Sequence, residues 1–184
     1  MIENEVIEAI VLDKNTCFSE NDDCFSKTRD VFTARLQSFI TETEKYLEAA
    51  MIGEIGNNTF DHNFGYYSSY PAGVYCNFLY KQRFIVLADY GKGVRQSLLS
   101  VLPSISSDIE AVETAFTKRV SGRSPEQRGN GLKFVSDVIQ QNAWHLYFQS
   151  GIGSCSIDKN GLAFFEKAVP VIGCLAIIDF GGDK

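Results

Sequence analysis

Phe84-Ile85-Val86-Leu87-Ala88-Asp89-Tyr90-Gly91-Lys92-Gly93 decides how this chain is read. The apolar run Phe84 to Ala88 reads as a buried strand, and it ends in an acid followed by a glycine-rich turn. An acid at the end of a buried strand can accept a hydrogen bond from an exocyclic amine, and glycines let backbone approach a ligand closely. Taken alone, the same residues also describe a plain strand-to-helix turn with two glycines at positive φ.

Upstream, Val74 to Tyr80 is a second β-rich run, close enough to the first for a hairpin around Lys81-Gln82. A Gly, Tyr and Ser stretch ending at Pro71 and Gly73 reads as a loop. Before it, Thr41 and Glu44 form a capping-box pattern that opens a helix running to about His62. On that helix Glu54, Asn58 and His62 are spaced by four and make one polar stripe, with Met51, Ile55 and Phe60 on the other face. A carboxylate and an amide oxygen on one stripe suit a hard cation and a water to be activated, and they equally suit a solvated face. Asp61 and Asn63 read as solvent-facing. An earlier amphipathic helix is expected from Lys27 to about Ile40, and residues 1–27 carry too little pattern to assign.

Downstream, Val94 to Leu102 reads as a helix stopped by Pro103, and Asp108 to Lys118 as another. The polar segment Ser121 to Asn130 leads into a helix from Leu132 to Gln141, on which Leu132, Phe134 and Val135 would bury one face and leave Lys133 solvated. Arg128 and Gly129-Asn130-Gly131-Leu132 stand at the mouth of that helix. Backbone N–H groups and the helix dipole make such a place an anion site, although a lone GxG pair also marks ordinary helix starts. The chain closes with β runs near Trp144 to Phe148, Ser154 to Asp158, Leu162 to Glu166 and Cys174 to Phe180, and His145 reads as a structural residue. Helices, then strands, then a helix before a final meander make an α+β pattern, with a mixed, mostly antiparallel sheet covered by helices on one face.

Composition narrows the classes. With 184 residues, 45% of them hydrophobic and only four prolines, one globular domain with a sizeable core is expected. The Met1-Ile-Glu-Asn-Glu start has no basic n-region, and no apolar run approaches the roughly 18 to 20 residues that cross a bilayer, so a cytoplasmic chain with no membrane association is expected. The five cysteines are scattered, with no CxxC pair, which points to reduced thiols. A net charge of -6 argues against nucleic acid as a partner. The basic residues Lys118, Arg119, Arg123, Arg128 and Lys133 nevertheless cluster, which fits a small anionic ligand better than a polyanion.

Three patterns in this order, ExxxN on a helix, DxGxG after a strand and GxG opening a later helix, resemble the N-box, G1-box and G2-box of the GHKL ATPases, the histidine-kinase-like ATP-binding domains. The likeness spans residues 30–182, and residues 28–184 would form the domain. Glu54, Asn58 and His62 look like the ExxxNxxxH version found in anti-sigma-factor serine kinases and one branch of histidine kinases. Pro170-Val171-Ile172-Gly173-Cys174 resembles the Pro-x-x-Gly-Thr before the family's last strand, with Cys174 where threonine is usual. The resemblance implies a two-layer α/β sandwich of the Bergerat type that binds ATP with Mg²⁺. Asn58 would ligate the metal, Asp89 would bond the adenine amine, and Gly91 and Gly93 would shape the base pocket. Arg128, Gly129, Gly131 and Leu132 would line the phosphate side, and Glu54 would act as general base on water or a substrate hydroxyl. Ser104 to Gln127 would be a nucleotide-ordered lid.

The resemblance names no task. The chain has only two histidines, His62 and His145, neither on the helical hairpin that a complete histidine kinase needs. A regulatory ATPase or a protein kinase acting on a protein partner is the first expectation. The alternatives are the separate ATP-binding subunit of a two-component-like system and a non-catalytic nucleotide-sensing module, and a homodimer is compatible with each.

Overall fold

The structure is a computed structural model, and it describes residues 4–16, 23–63, 66, 71–79, 84–118 and 131–181. Its centre is the apolar run that the sequence marks as a strand, here β3 (Phe84–Asp89). It pairs antiparallel with β2 (Val74–Leu79) on one side and with the second half of β5 (Gly161–Asp179) on the other. The short β1 (Phe25–Ser26) and the long β4 (His145–Asp158) complete a five-stranded sheet in the order β1-β2-β3-β5-β4, with every described pairing antiparallel.

Alternation along β3 sends its side chains to two different cores, because successive residues of a strand face opposite sides. Ile85 and Leu87 join Val74, Cys76, Leu146, Phe148, Ala176 and Ile178 under the main helical layer. Val86 and Ala88 join Tyr75, Tyr147, Leu175 and Ile177 on the reverse face. The helical layer is α2 (Arg29–Thr43), α3 (Tyr46–His62), α5 (Asp108–Thr117) and α6 (Gly131–Gln141), with the short α4 (Gly93–Leu98) following β3. This is the α+β sandwich expected from the sequence. The reverse face is covered by α1 (Asn4–Thr16), in the segment that the sequence left open, through Ile7 and Val11.

Several local expectations are corrected. The two helices before the loop do not meet at a capping box. Thr41 lies inside α2, where its hydroxyl donates to the Gln37 carbonyl, and Glu44 ends α2 in the left-handed region at φ 58°. The chain turns on that residue, and α3 starts at Tyr46, with Lys45 before it giving no side-chain cap. The four closing β runs are two strands: β4 and β5 form one long hairpin whose register breaks between Ser150 and Gly153. On α6 the buried seam is Val135, Val138 and Ile139, at i, i+3 and i+4, and Phe134 falls outside it and is exposed. Lys133 is on the surface as expected, beside Asp137 at 3.7 Å.

The expected lid is also divided. Residues 119–127 lie outside the described residues, but α5, in its first part, is a core helix. Ala111, Val112, Thr114 and Phe116 are buried, and the Phe116 ring meets Phe148 edge-on at 5.2 Å. Asp108 at its start accepts from the Ile152 amide at 3.1 Å.

Candidate functional site

The base of the site is Asp89, the last residue of β3. Its carboxylate is buried under the helical layer and held from three directions. Oδ1 accepts from the Gly91 amide at 2.6 Å and from Asn63 Nδ2 at 3.4 Å, and Oδ2 accepts from the Thr59 hydroxyl at 3.2 Å. Burial pushes the Asp89 carboxyl up from the usual carboxylate range, opposed by the Gly91 amide, by Lys14, by the Thr59 hydroxyl and by the Cys174 amide. Thr59 and Asn63 sit at the end of α3, one turn apart, on the stripe next to Glu54, Asn58 and His62.

Asn63 corrects the sequence reading, because it is buried rather than solvent-facing. It joins α3 to the glycine-rich turn at two points, donating to Asp89 and accepting from the Lys92 amide at 3.0 Å. Thr59 has no role in the sequence reading. The available signal was the i, i+4 spacing of two polar residues, which a helical wheel reports without saying that a buried acid faces them. Asp61, in the same turn, pairs with Arg29.

Backbone closes the site on its third side. Gly173 has φ 74°, and a Cβ placed on it would lie 2.3 Å from the Asp89 carbonyl oxygen and 2.7 Å from the Gly91 nitrogen. No residue with a side chain fits there without moving the end of β3. At Gly91 a Cβ would fall 2.0 Å from Asn63 Nδ2. Gly93 begins α4 at φ 76° against Ser150, whose hydroxyl receives the Val94 amide and donates to the Gly173 carbonyl.

Above Asp89 lies a cavity of about 30 Å³, walled by Ile55, Leu87, Phe148, Ala176 and Cys174. That volume holds about two waters, so a flat heterocycle enters only if these side chains give way. The chemistry of the lining, apolar walls with one carboxylate at the floor, fits a nucleobase with an exocyclic amine. Cys174 stands on the wall, at the position where the resemblance noted in the sequence would place a threonine, and burial raises its thiol pKa. It offers a neutral sulfur in place of a hydroxyl.

The other end of the site is built on the exposed stripe of α3. Glu54 is exposed, and Asn58 and His62 are half-buried. Burial and the nearby Lys92 hold the His62 pKa below its ordinary value, so the ring is neutral at pH 7. Across from the stripe α6 begins at Gly131, where a Cβ would lie 2.4 Å from Glu54 Oε2. The predicted general base and the predicted phosphate-side helix thus meet across one glycine. Leu132 follows, half-buried against the main core. Arg128 and Gly129 lie outside the described residues.

The fold and this arrangement define the chain as an α+β sandwich whose central strand ends in a buried carboxylate beside a small cavity. It matches no protein-family model and none of the curated proteins. Among solved structures it is similar to the 43K ATPase domain of Thermus thermophilus gyrase B in complex with an aminocoumarin, at 14% identity and a TM-score of 0.43, over 78% of this chain and 38% of that one. At that distance the likeness carries neither residue roles nor activity across, and the chain spans well under half of the structure it matches. No described helix is long and apolar enough to cross a membrane.

Proposed function

We propose that this chain is a Mg²⁺-dependent ATP-binding domain of the GHKL type, and that it acts as a regulatory ATPase or protein kinase on a partner protein. The observation that carries the reading is Asp89, a buried carboxylate at the floor of an apolar cavity, fixed by Thr59, Asn63 and the Gly91 amide. An ionised carboxylate only accepts hydrogen bonds, and an adenine amine is a donor of the kind that such a floor would receive.

The rest of the assignment follows the three motifs. Gly91 and Gly93 shape the base pocket. Gly131 and Leu132, with Arg128 and Gly129, serve the phosphates through backbone N–H groups and the start of α6. Asn58 would hold Mg²⁺ through its amide oxygen, and the ion would supply positive charge to the phosphates. Glu54 takes the proton of the attacking water or partner hydroxyl, and its exposure leaves the nucleophile a route in from solvent.

Calorimetry with ADP and ATP, with and without Mg²⁺, on the native chain and on Asp89→Asn tests the binding reading. Binding that depends on Asp89 is the expected result, and no heat at millimolar nucleotide removes the proposal. Turnover that persists in Glu54→Ala would remove Glu54 as the base while leaving the binding site in place.

A further inference from the structure

Lys14 is fully buried and sits behind the site, on the reverse face of the sheet. It occupies the third position of the α1 stripe whose first two members, Ile7 and Val11, enter the apolar cluster. A lysine in such a seam is rare, because removing an ammonium from water is costly unless its donors are all engaged. Here they are engaged by backbone. Nζ donates to the Asp89 carbonyl at 2.8 Å and to the Ile172 carbonyl at 2.5 Å, and it lies 4.1 Å from the centre of the Tyr90 ring. In return the Tyr90 hydroxyl donates to the Lys14 carbonyl, at the C-terminal end of α1 where helix carbonyls lack helical partners.

These contacts fall at one place in the sheet. The β3·β5 ladder ends at the pair Asp89 and Cys174. Just past that end the backbone turns through Tyr90 and Gly91 on one side and through Ile172 and Gly173 on the other. Lys14 bridges the two turns where the ladder has stopped. The same two turns form the floor and one wall of the site on the opposite face, since Gly173 abuts the Asp89 carbonyl and the Gly91 nitrogen.

We infer that Lys14 is a positioning residue for the nucleotide site: from behind the sheet it locks the Asp89 turn to the Gly173 turn, so that docking of α1 and binding of ligand at Asp89 are one coupled equilibrium. The inference rests on the ATP-binding reading for the identity of the ligand, but not for the clamp itself. Coupling of this kind is reciprocal: whatever fixes the two turns tightens α1, and whatever holds α1 favours the ligand. Residues 4–16 therefore form the element through which a partner could read, or set, the state of the site.

Hydrogen exchange and calorimetry on the full chain, with ADP as the probe, test this. In the native protein, saturating ADP should slow amide exchange across residues 4–16. In Lys14→Met, which keeps the stem and removes the donors, the amides of Gly91, Lys92 and Cys174 should exchange faster without nucleotide, and ADP should bind ~10-fold more weakly, within the ordinary range of site-to-site coupling. The rise in melting temperature caused by ADP should itself shrink in Lys14→Met, whereas a lysine with a merely structural role would lower both curves alike. Val11→Ala, which loosens α1 without touching the carbonyls, should weaken ADP in the same direction and serves if Lys14→Met does not fold. Native ADP affinity in these variants, or α1 exchange indifferent to ADP, would overturn the coupling. Should the native chain bind no ADP, the ATP reading fails separately. The clamp is then decided by the nucleotide-free arm alone, where unchanged exchange at Gly91, Lys92 and Cys174 overturns it.

Discussion

The two ends of the site are built in opposite ways. At the Asp89 end the functional group is buried, its oxygens are held by two side chains and a backbone amide, and the wall beside it is a glycine with no room for a side chain. At the Glu54 end the side chains stand on the solvent side of α3, and their neighbour across the gap is the first turn of α6. A rigid, dry end suits recognition, where a misplaced acceptor costs affinity. An exposed end suits chemistry on a group that arrives from outside. The difference teaches that binding and turnover should be separable by mutation.

Gly173→Ala should break the first end most completely. A methyl group there meets the Asp89 backbone at a positive φ, so we expect a loss of roughly 3 kcal/mol and a fall in melting temperature of roughly 10 °C, together with loss of nucleotide binding. Calorimetric unfolding measures the first and titration the second. A variant with native stability would show that the Asp89 end is softer than its geometry implies.

Asp89→Asn should separate stability from function. Burial disfavours the charged carboxylate, so the amide should keep the fold, within a few degrees of the native melting temperature, while nucleotide binding falls by ~100-fold or more. The sign is fixed by the raised pKa. Between the unfolded value of 3.8 and the higher folded one, the folded protein holds the extra proton, so the Asp89 contribution to stability declines as pH rises through that window. Asp89→Asn should flatten that part of the pH–stability curve, and an unchanged curve would contradict the desolvated carboxyl.

At the exposed end, Glu54→Ala should leave the melting temperature and the nucleotide affinity close to native while turnover falls by ~100-fold or more, as for loss of a general base. Affinity lost together with turnover would mean that the two ends are not independent. The smallest effect is expected at His62. Its pKa is lowered, so the unfolded chain takes up a proton near pH 6.5 while the folded chain does not, and stability is lost as pH falls below that value. His62→Gln should remove that slope in acid melts and change little at pH 8.

Much of this was legible in the sequence because it is local. The strand ending in Asp89, the helix carrying Glu54 and Asn58 and the helix opening at Gly131 follow from apolar runs, spacing and glycines, and the end of α3 and the bounds of α6 differ little from those read off the residues. The capping box at Thr41 and Glu44 failed because the left-handed turn at Glu44 ends α2 there, and a four-residue pattern does not show which helix it belongs to. The inward half of the expected lid became α5 because Val112 and Phe116, four apart, find Phe148 on β4, a partner distant in sequence.

The sequence by itself determined the periodicities, and with them the α+β class and the three motifs from which the ligand is proposed. Each depends on residues within about one element of one another, where backbone geometry fixes who is a neighbour. Only the tertiary structure decided that Thr59 and Asn63 hold Asp89, that Glu54 meets Gly131, that α1 covers the reverse face, and that Lys14 reaches through to the Asp89 and Ile172 carbonyls. Those pairings join residues far apart along the chain, and what selects them is the need to bury polar groups only where a partner waits.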